Sequence, residues 1–188
     1  SRGLYATDAS IYQIAPVGVV APRTTEDVTA TVAIAREFAL PLIPRGGGTS
    51  LSGQSIGPGL ILDFSRFMNA VLEVDEERRL ARIQPGVVLD QLNHEVKRYG
   101  LQFGPDVATS SRANLGGMIG NNSAGSRSVR QGKTIDHVRE LRVVLSSGDT
   151  LHTRPLPAAE VTRLERTGLV EGRLIAGFRG IVEELSTE

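Results

Sequence analysis

The segment PRGGGTSLSGQ, which runs from Pro44 to Gln54, directly follows the apolar pair Leu42 and Ile43. That pair is typical of the end of a short buried strand. The three consecutive glycines have no side chain, so the backbone can adopt positive φ angles and come close to a ligand. Successive backbone N–H groups in such a turn form a concave nest that suits a diphosphate. The segment therefore predicts an anion-binding loop, with a flexible surface loop as the alternative.

A second segment rich in small residues runs from Gly104 to Gly125. Most positions between 108 and 125 carry small side chains, so this part of the chain can lie along a flat or extended ligand. The amides of Asn114, Asn121 and Asn122 can bond phosphate, ribose or ring heteroatoms. Alternatively, the segment is a glycine-rich loop that closes over a core. Two such segments in one chain favour a single extended ligand, for which a dinucleotide is the natural candidate.

Hydrophobic periodicity and turn residues predict an alternation of strands and helices. We expect strands at 17–21, 42–44 and 60–64, hairpins over 71–83 and 140–153, helices over 25–39, 89–99, 158–166 and 173–185, and irregular structure over 101–137. The first strand, first helix and second strand form a βαβ unit whose glycine loop lies at the carboxyl end of the second strand. A parallel unit followed by antiparallel hairpins indicates the α+β class.

The composition argues against several classes of protein. The 188 residues include 21 basic and 21 acidic side chains, so the basic bias of a nucleic-acid-binding protein is missing and no such partner is expected. No apolar run is long enough for a membrane span. Cysteine is absent, which excludes disulfides and thiolate metal sites within these residues. We expect no metal site and a cytoplasmic location.

Two other nucleotide-binding motifs fit the sequence poorly. Gly132-Lys133-Thr134 suggests a phosphate loop, but Arg127 stands where that motif needs a glycine. A Rossmann turn opens directly onto a helix, and Pro58 leaves no room for a useful helix behind the first glycine segment. Among isolated polar residues, His94 is expected at the surface, and Asp106 is expected to be a turn residue that bonds its own backbone.

The ordered motifs resemble the flavin domain of the vanillyl-alcohol oxidase / para-cresol methylhydroxylase (PCMH) type. Pro44–Gln54 is similar to the diphosphate loop of that family. Pro105-Asp106, a gap of nine residues and Gly116-Gly117 match its second flavin segment. Asn122–Gly125 fits its Asn-Ala-Gly-Gly-like turn with one serine inserted, and Gly132–Asp136 is similar to the Gly-x-Thr-x-Asp run that follows. The resemblance covers about residues 15–153.

Within that family the chain is most similar to the D-2-hydroxy-acid dehydrogenases for D-lactate, glycolate and D-2-hydroxyglutarate. The resemblance implies FAD as cofactor and oxidation of a small 2-hydroxy acid, with hydride transfer to flavin N5. Arg45 stands where members that bond flavin covalently often carry a histidine, so non-covalent FAD is implied. The wording of 106–112 and 116–123 resembles large bacterial members fused to an iron–sulfur module, which implies that module or another electron acceptor as partner.

The resemblance also implies a two-lobed FAD-binding domain. We expect an N-terminal arm over 1–14, a first lobe with the diphosphate loop over 15–66, and a second, incomplete lobe over 67–188. The second lobe is expected to contain a larger antiparallel sheet flanked by helices. The family's substrate cap and its C-terminal return are not found in the sequence, and no catalytic residue is assigned.

The candidate cofactor-binding residues come from both glycine segments. They are Pro44, Arg45, Gly46, Gly47, Gly48, Thr49, Ser50, Leu51, Gly53, Gln54, Pro105, Asp106, Ser110, Asn114, Leu115, Gly116, Gly117, Gly120, Asn121, Asn122 and Gly125. Arg45 and the loop amides are expected to offset the diphosphate charge. The 104–125 wall is expected to hold the isoalloxazine and ribityl groups. On this basis Gly47→Val should abolish most FAD affinity and leave the fold largely intact. Two other readings stay open: a flavin subunit of another FAD-dependent reductase or hydroxylase, and a non-catalytic nucleotide-binding module.

Overall fold

The computed structural model describes residues 2–186. The chain divides into two compact units, which meet in the sequence at Val138 and Arg139. Helices and strands are mixed in both units. The predicted α+β class is therefore confirmed.

The first unit contains a parallel sheet of three strands. These are β1 (Gly18–Val20), β2 (Leu42–Arg45) and β3 (Leu60–Asp63), in the order β1-β3-β2. Both outer strands run parallel to β3, whose Ile61 and Leu62 are buried. Because β2 ends at Arg45, the first glycine segment leaves the sheet at the carboxyl end of a strand, as its position in the sequence predicts.

Helix α1 (Thr25–Glu37) connects β1 to β2. Its N-cap residue is Thr24, whose hydroxyl accepts a hydrogen bond from the Asp27 backbone amide at 3.3 Å. Val28, Val32 and Ala35 recur at helical spacing and are buried. The helix ends two residues earlier than the periodicity predicts, so Phe38 lies largely in solvent.

An antiparallel hairpin and a helix follow. The hairpin consists of β4 (Val71–Asp75) and β5 (Leu80–Ile83), and the helix is α2 (Leu89–Val96), which continues as a 3₁₀ turn to Tyr99. Gly100, with φ +67°, stops the helix as predicted. The buried side chains of α2 then pack against those of the second glycine segment. This hydrophobic cluster contains Val87, Leu89, Leu92, Val96, Ala113, Leu115 and Met118.

The second glycine segment is helical in its middle, which differs from the prediction of irregular chain. Helix α3 spans Leu115–Gly120 and α4 spans Ser128–Gln131, with a 3₁₀ turn at Thr134–His137. Leu115 and Met118 are three residues apart and both buried. Their burial in the shared cluster stabilises a helix that its three glycines disfavour.

The second unit holds a hairpin and two helices. The hairpin strands are β6 (Leu141–Val144) and β7 (Thr150–Thr153), and the helices are α5 (Ala158–Glu165) and α6 (Val170–Leu185). The sequence predicts one larger antiparallel sheet, whereas the structure has two separate sheets of two strands each, β4-β5 and β6-β7. Helix α6 also begins three residues before its predicted start. The elements β6, β7, α5 and α6 all lie within the second unit, whereas β4 and β5 lie within the first.

Candidate functional site

The two glycine segments, far apart in the sequence, contact each other in the structure. A Cβ placed on Gly46 would lie 2.5 Å from Oδ1 of Asn114. A Cβ on Gly47 would overlap the backbone oxygen of Arg112 and lie 3.2 Å from its carbonyl carbon. Only residues without side chains allow this approach. The predicted proximity of the two segments is therefore present.

The same geometry changes the interpretation of the first two glycines. The sequence predicts that these glycines leave space for a ligand and that a larger residue at Gly47 leaves the fold largely intact. In the structure the space beside Gly47 is filled by the Arg112 backbone. A bulky residue there must displace main chain, so the expectation that Gly47→Val leaves the fold intact is wrong.

Asn114 is held from several directions at this contact. It forms an isolated β-bridge with Val88, and the neighbouring Leu115 amide donates to the Val87 oxygen at 2.8 Å. The Asn114 Nδ2 group donates to the Gly86 oxygen. The side chain is 4% exposed, yet its Oδ1 atom has no hydrogen-bond partner among the described residues. A buried amide oxygen without a donor is uncommon, and this atom has almost no solvent-accessible surface because it lies against Gly46.

The glycines of the second segment fall into two groups. A Cβ on Gly116 would lie 2.8 Å from the Pro85 side chain, and one on Gly125 would overlap Asp106. By contrast, a Cβ on Gly117 or Gly120 would meet nothing within 4 Å. The first group is therefore required by packing. Packing gives no reason for the second group, although each glycine in a helix interior costs about 1 kcal/mol relative to alanine.

Arg45 contacts the protein's own backbone. Its Nη1 donates to the Ser55 oxygen at 3.0 Å and its Nη2 to the Thr7 oxygen at 2.9 Å. The guanidinium also lies over the Tyr5 ring, 5.4 Å from the ring centre. These contacts fix the side chain at the base of the loop, and its predicted role toward a diphosphate stays a prediction.

The rest of the first segment turns sharply. Gly48 and Gly53 have φ values of +66° and +77°, which glycine adopts without steric cost. The Ser50 hydroxyl bonds Oε1 of Gln54 across this turn, and Leu51 is 78% exposed. The loop therefore presents its backbone and one apolar side chain to the surface. Thr49 and Ser50 also have intermediate burial, and Pro44 is exposed.

The remaining candidate residues differ in their surroundings. Pro105 is fully buried, and the Ser110 backbone oxygen accepts from the Asp90 amide at 3.1 Å. Asn122 has a φ of +46°, and its Oδ1 accepts from the Ile135 amide at 3.0 Å. Asn121 ends α3 and is exposed. Of these side chains, the Asn122 amide is already engaged by the protein, whereas the Asn121 side chain faces solvent.

Asp106 makes contacts beyond the local turn that the sequence predicts. Its carboxylate accepts from the Arg127 backbone amide at 3.0 Å and from the Ser126 hydroxyl at 2.9 Å. The Arg127 Nε atom adds an ion pair at 3.3 Å. The sequence predicts that Asp106 bonds its own backbone. Its own backbone does contribute a hydrogen bond to the carboxylate, and the carboxylate also holds a loop twenty positions later. No local sequence signal connects these two regions, so this contact could not be predicted.

Asp106 should give the fold a pH-dependent contribution. Its pKa lies below the ordinary value, chiefly because the Arg127 amide donates to the ionised form; partial burial acts in the opposite direction, and the Ser126 hydroxyl lowers the pKa further. Ionised Asp106 therefore stabilises the fold above its unfolded pKa, about 3.9, and this contribution is lost as the pH falls through the lower folded value.

We expect wild type to exceed Asp106→Asn in free energy of unfolding by a constant amount above about pH 5, and by a shrinking amount below about pH 4. Urea unfolding at a series of pH values measures this difference. Arg127→Ala is the matched control, because it removes the ion pair but keeps the backbone amide. Arg127→Ala should retain most of the dependence of the free energy of unfolding on pH that wild type shows in this range. A difference that stays constant down to pH 2 would contradict the assignment.

Two clefts of the described residues lie away from the glycine segments. One of about 260 Å³ is formed by β4 and α2 and includes Val74 and Tyr99. The other, of about 550 Å³ and largely apolar, is in the second unit and includes Leu151 and Phe178. Neither contains a residue of 44–54 or 104–125. Residues 2–186 also show no helix suited to crossing a membrane and no metal-binding group of three or more acidic, histidine or cysteine residues.

The first unit is an α+β arrangement in which two glycine segments contact each other, and comparison with known proteins identifies the family. The FAD binding domain family matches residues 16–154. The chain therefore belongs to the FAD binding domain family, as the resemblance of its motifs predicts, and FAD as the cofactor is confirmed at this level.

Named relatives cover most of this chain. It is 48% identical to a D-2-hydroxyglutarate dehydrogenase of Pantoea ananatis (strain AJ13355) over 172 residues, and this alignment covers 90% of this chain and 17% of the dehydrogenase. It is 38% identical to the glycolate oxidase subunit GlcD of Bacillus subtilis (strain 168) over 186 residues, and this alignment covers 97% of this chain and 39% of the subunit. The chain thus spans a small part of the length of these relatives.

A solved structure supports the fold. An alkyldihydroxyacetonephosphate synthase superimposes with a TM-score of 0.72 and 26% sequence identity. The superposition covers 85% of this chain and 32% of the synthase. The predicted PCMH-type fold is confirmed by this likeness together with the family match.

Proposed function

We propose that this chain is the FAD-binding part of a flavin-dependent oxidoreductase that oxidises a D-2-hydroxy acid. One structural observation supports the cofactor half of the proposal. The two glycine segments meet at Gly46, Gly47 and Asn114, and the helix that follows Asn114 contains two glycines, Gly117 and Gly120, where an added Cβ would meet no protein atom within 4 Å. The names of the relatives carry the substrate half, since a D-2-hydroxyglutarate dehydrogenase and a glycolate oxidase subunit both act on 2-hydroxy acids by name.

The residues present fit FAD. The backbone of 46–53, with left-handed glycines at 48 and 53, would offer N–H groups to the diphosphate. Asn114 would hold the second segment beside this loop, through its contact with Gly46 and its hydrogen bond to the Gly86 oxygen. The open sides of Gly117 and Gly120 would lie against the flat or extended parts of the cofactor. These roles place the diphosphate in the predicted first lobe, 15–66, and the rings against the second lobe from residue 67 onward.

FAD, when bound, supplies the acceptor for a hydride from the hydroxyl-bearing carbon. This chain contributes binding, orientation and charge balance. No base for the hydroxyl proton is assigned within it. We further propose non-covalent attachment, because Arg45 stands where a covalent link would need a histidine. An iron–sulfur module or another electron acceptor as partner, and a cytoplasmic location, are proposals from the resemblance.

The fold by itself does not select the reaction. The superimposed structure carries the name of a synthase, whereas the sequence relatives are named dehydrogenase and oxidase. The same fold therefore occurs in proteins whose names denote different chemistries, as is common for widespread folds. The reaction must be tested on substrates.

We expect the chain, or a longer protein that contains it, to show the visible absorption bands of bound oxidised flavin after incubation with FAD and removal of free cofactor. His94→Ala is the matched control, because His94 is exposed on α2 and should leave the spectrum unchanged. D-lactate, glycolate and D-2-hydroxyglutarate added without oxygen should bleach the bands of a longer, catalytically competent protein. Absence of flavin in both proteins would overturn the proposal, and bleaching by none of the three acids would overturn its substrate half.

A further inference from the structure

The N-terminal arm contacts the first glycine segment at several points. The Ala9 amide donates to the Gly48 oxygen at 3.0 Å, and the Ser55 hydroxyl donates to Oδ2 of Asp8 at 2.9 Å. A Cβ on Gly53 would lie 3.0 Å from the Tyr12 ring. Nothing in the sequence of the arm indicates these contacts, because they join residues about forty positions apart.

The arm has its own structure, so it can act as a support. Thr7 and Gln13 form an antiparallel bridge, and the Ile14 amide donates to the Ala6 oxygen at 2.8 Å. Ala6 is 3% exposed. The Tyr5 hydroxyl donates to the buried Asp63 carboxylate at 2.7 Å, which ties the arm to the end of β3.

Asp8 stands at the centre of a closed circuit of hydrogen bonds. Its Oδ1 accepts from the Ser10 amide at 2.8 Å, while Oδ2 accepts from Ser55. The Ser55 backbone oxygen in turn accepts from Arg45, whose other nitrogen donates to the Thr7 oxygen. The circuit joins the start of the glycine segment, its end and the arm.

The loop needs such support. Three consecutive glycines lose more conformational entropy on ordering than any other residues, and a nest of N–H groups exists only while their φ angles are fixed. Binding energy spent on ordering the loop would be lost from affinity. A loop already held at Gly48, Gly53 and Ser55 avoids that loss.

We propose that the arm is a positioning element of the cofactor site, and that Asp8 and Ser55 fix the glycine loop before FAD arrives. The inference rests on the proposed function for its cofactor. The conformational half, that the arm orders the loop, is independent of any ligand. Asp8 and Ser55 act through the loop backbone and are therefore positioning residues.

The test compares Asp8→Ala, Ser55→Ala and the double variant with wild type. Without FAD, amide hydrogen exchange of residues 46–54 should accelerate in each variant, while exchange in β3 stays unchanged. FAD affinity should fall about tenfold in Ser55→Ala, as loss of one hydrogen bond implies, and at least as much in Asp8→Ala, which also loses the bond from the Ser10 amide. The double variant should lose little more than Asp8→Ala, because Asp8→Ala already removes the bond to Ser55. Asp8→Asn, which keeps one acceptor oxygen, should recover part of the affinity.

Asp149→Ala is the matched control, since it removes a carboxylate from another Ser–Asp hydrogen bond, with Ser147 at 2.8 Å in the β6–β7 turn. It should change neither loop exchange nor affinity. Unchanged exchange at 46–54 in the Asp8 and Ser55 variants overturns the inference, and so does accelerated exchange with unchanged FAD affinity. If neither the wild-type chain nor a longer protein that contains it binds FAD, the proposed function is overturned instead, and the exchange data still decide whether the arm orders the loop.

Discussion

Gly47→Val is expected to lose FAD binding and to unfold at a clearly lower urea concentration than wild type. The new Cβ would overlap the Arg112 backbone oxygen and lie 3.3 Å from Oδ1 of Asn114. Main chain cannot rotate away as a side chain can, so the two glycine segments must separate. Overpacking of this kind costs about 1–3 kcal/mol and sometimes more. Urea unfolding and FAD titration of the same preparations measure the two effects.

Gly180→Val is the control for this variant. Gly180 lies within α6, where an added Cβ would meet nothing within 4 Å. The substitution therefore introduces the same side chain without a steric conflict, and it should leave both the unfolding curve and FAD affinity close to wild type. If Gly47→Val behaved like this control, the two segments could not be packed as the structure places them.

Gly117→Leu should give the opposite combination: FAD affinity lowered a hundredfold or more, with stability equal to or above that of wild type. Leucine favours a helix over glycine by about 1 kcal/mol, and the added Cβ would meet no protein atom within 4 Å. The leucine side chain would instead occupy the space that we assign to the cofactor. FAD could then bind only if the leucine or the cofactor moved away from this position. Calorimetric titration with FAD and thermal unfolding of the FAD-free protein separate the two quantities.

The matched control is Gly177→Leu. Gly177 is also a helical glycine with nothing within 4 Å of an added Cβ, but it lies in α6 of the second unit. It should gain a similar amount of helix stability and keep full affinity for FAD. Equal affinity of Gly117→Leu and wild type would show that no cofactor atom approaches this face of α3.

Much of the fold could be predicted because its signals are local. Two short apolar runs around a charged tip mark β4 and β5. Helical spacing of Val28, Val32 and Ala35 marks α1, and Gly100 marks the end of the helix that begins at Leu89. Each of these patterns spans a few neighbouring residues, and the structure places the elements within one to three residues of their predicted ends.

The contacts of the candidate site could not be predicted in the same way. The glycine content of 116–120 argues against a helix, and only the burial of Leu115 and Met118 in a distant cluster makes one. Likewise, Gly47 and Gly117 look alike in the sequence, yet one faces protein backbone and the other open space. Their difference depends on which segments meet, and a periodicity does not contain that information.

The position of β3 has a consequence for how the chain acquires its shape during synthesis. β1 and β2 leave the ribosome before β3, but within the sheet each of them pairs only with β3. β3 lies between them in the sheet and follows both in the sequence. Helix α1 can form while the chain is still short, whereas both early strands must wait unpaired until Leu60–Asp63 emerges. A nascent chain paused before that strand would expose two solitary edges, which is the state in which aggregation is most favoured.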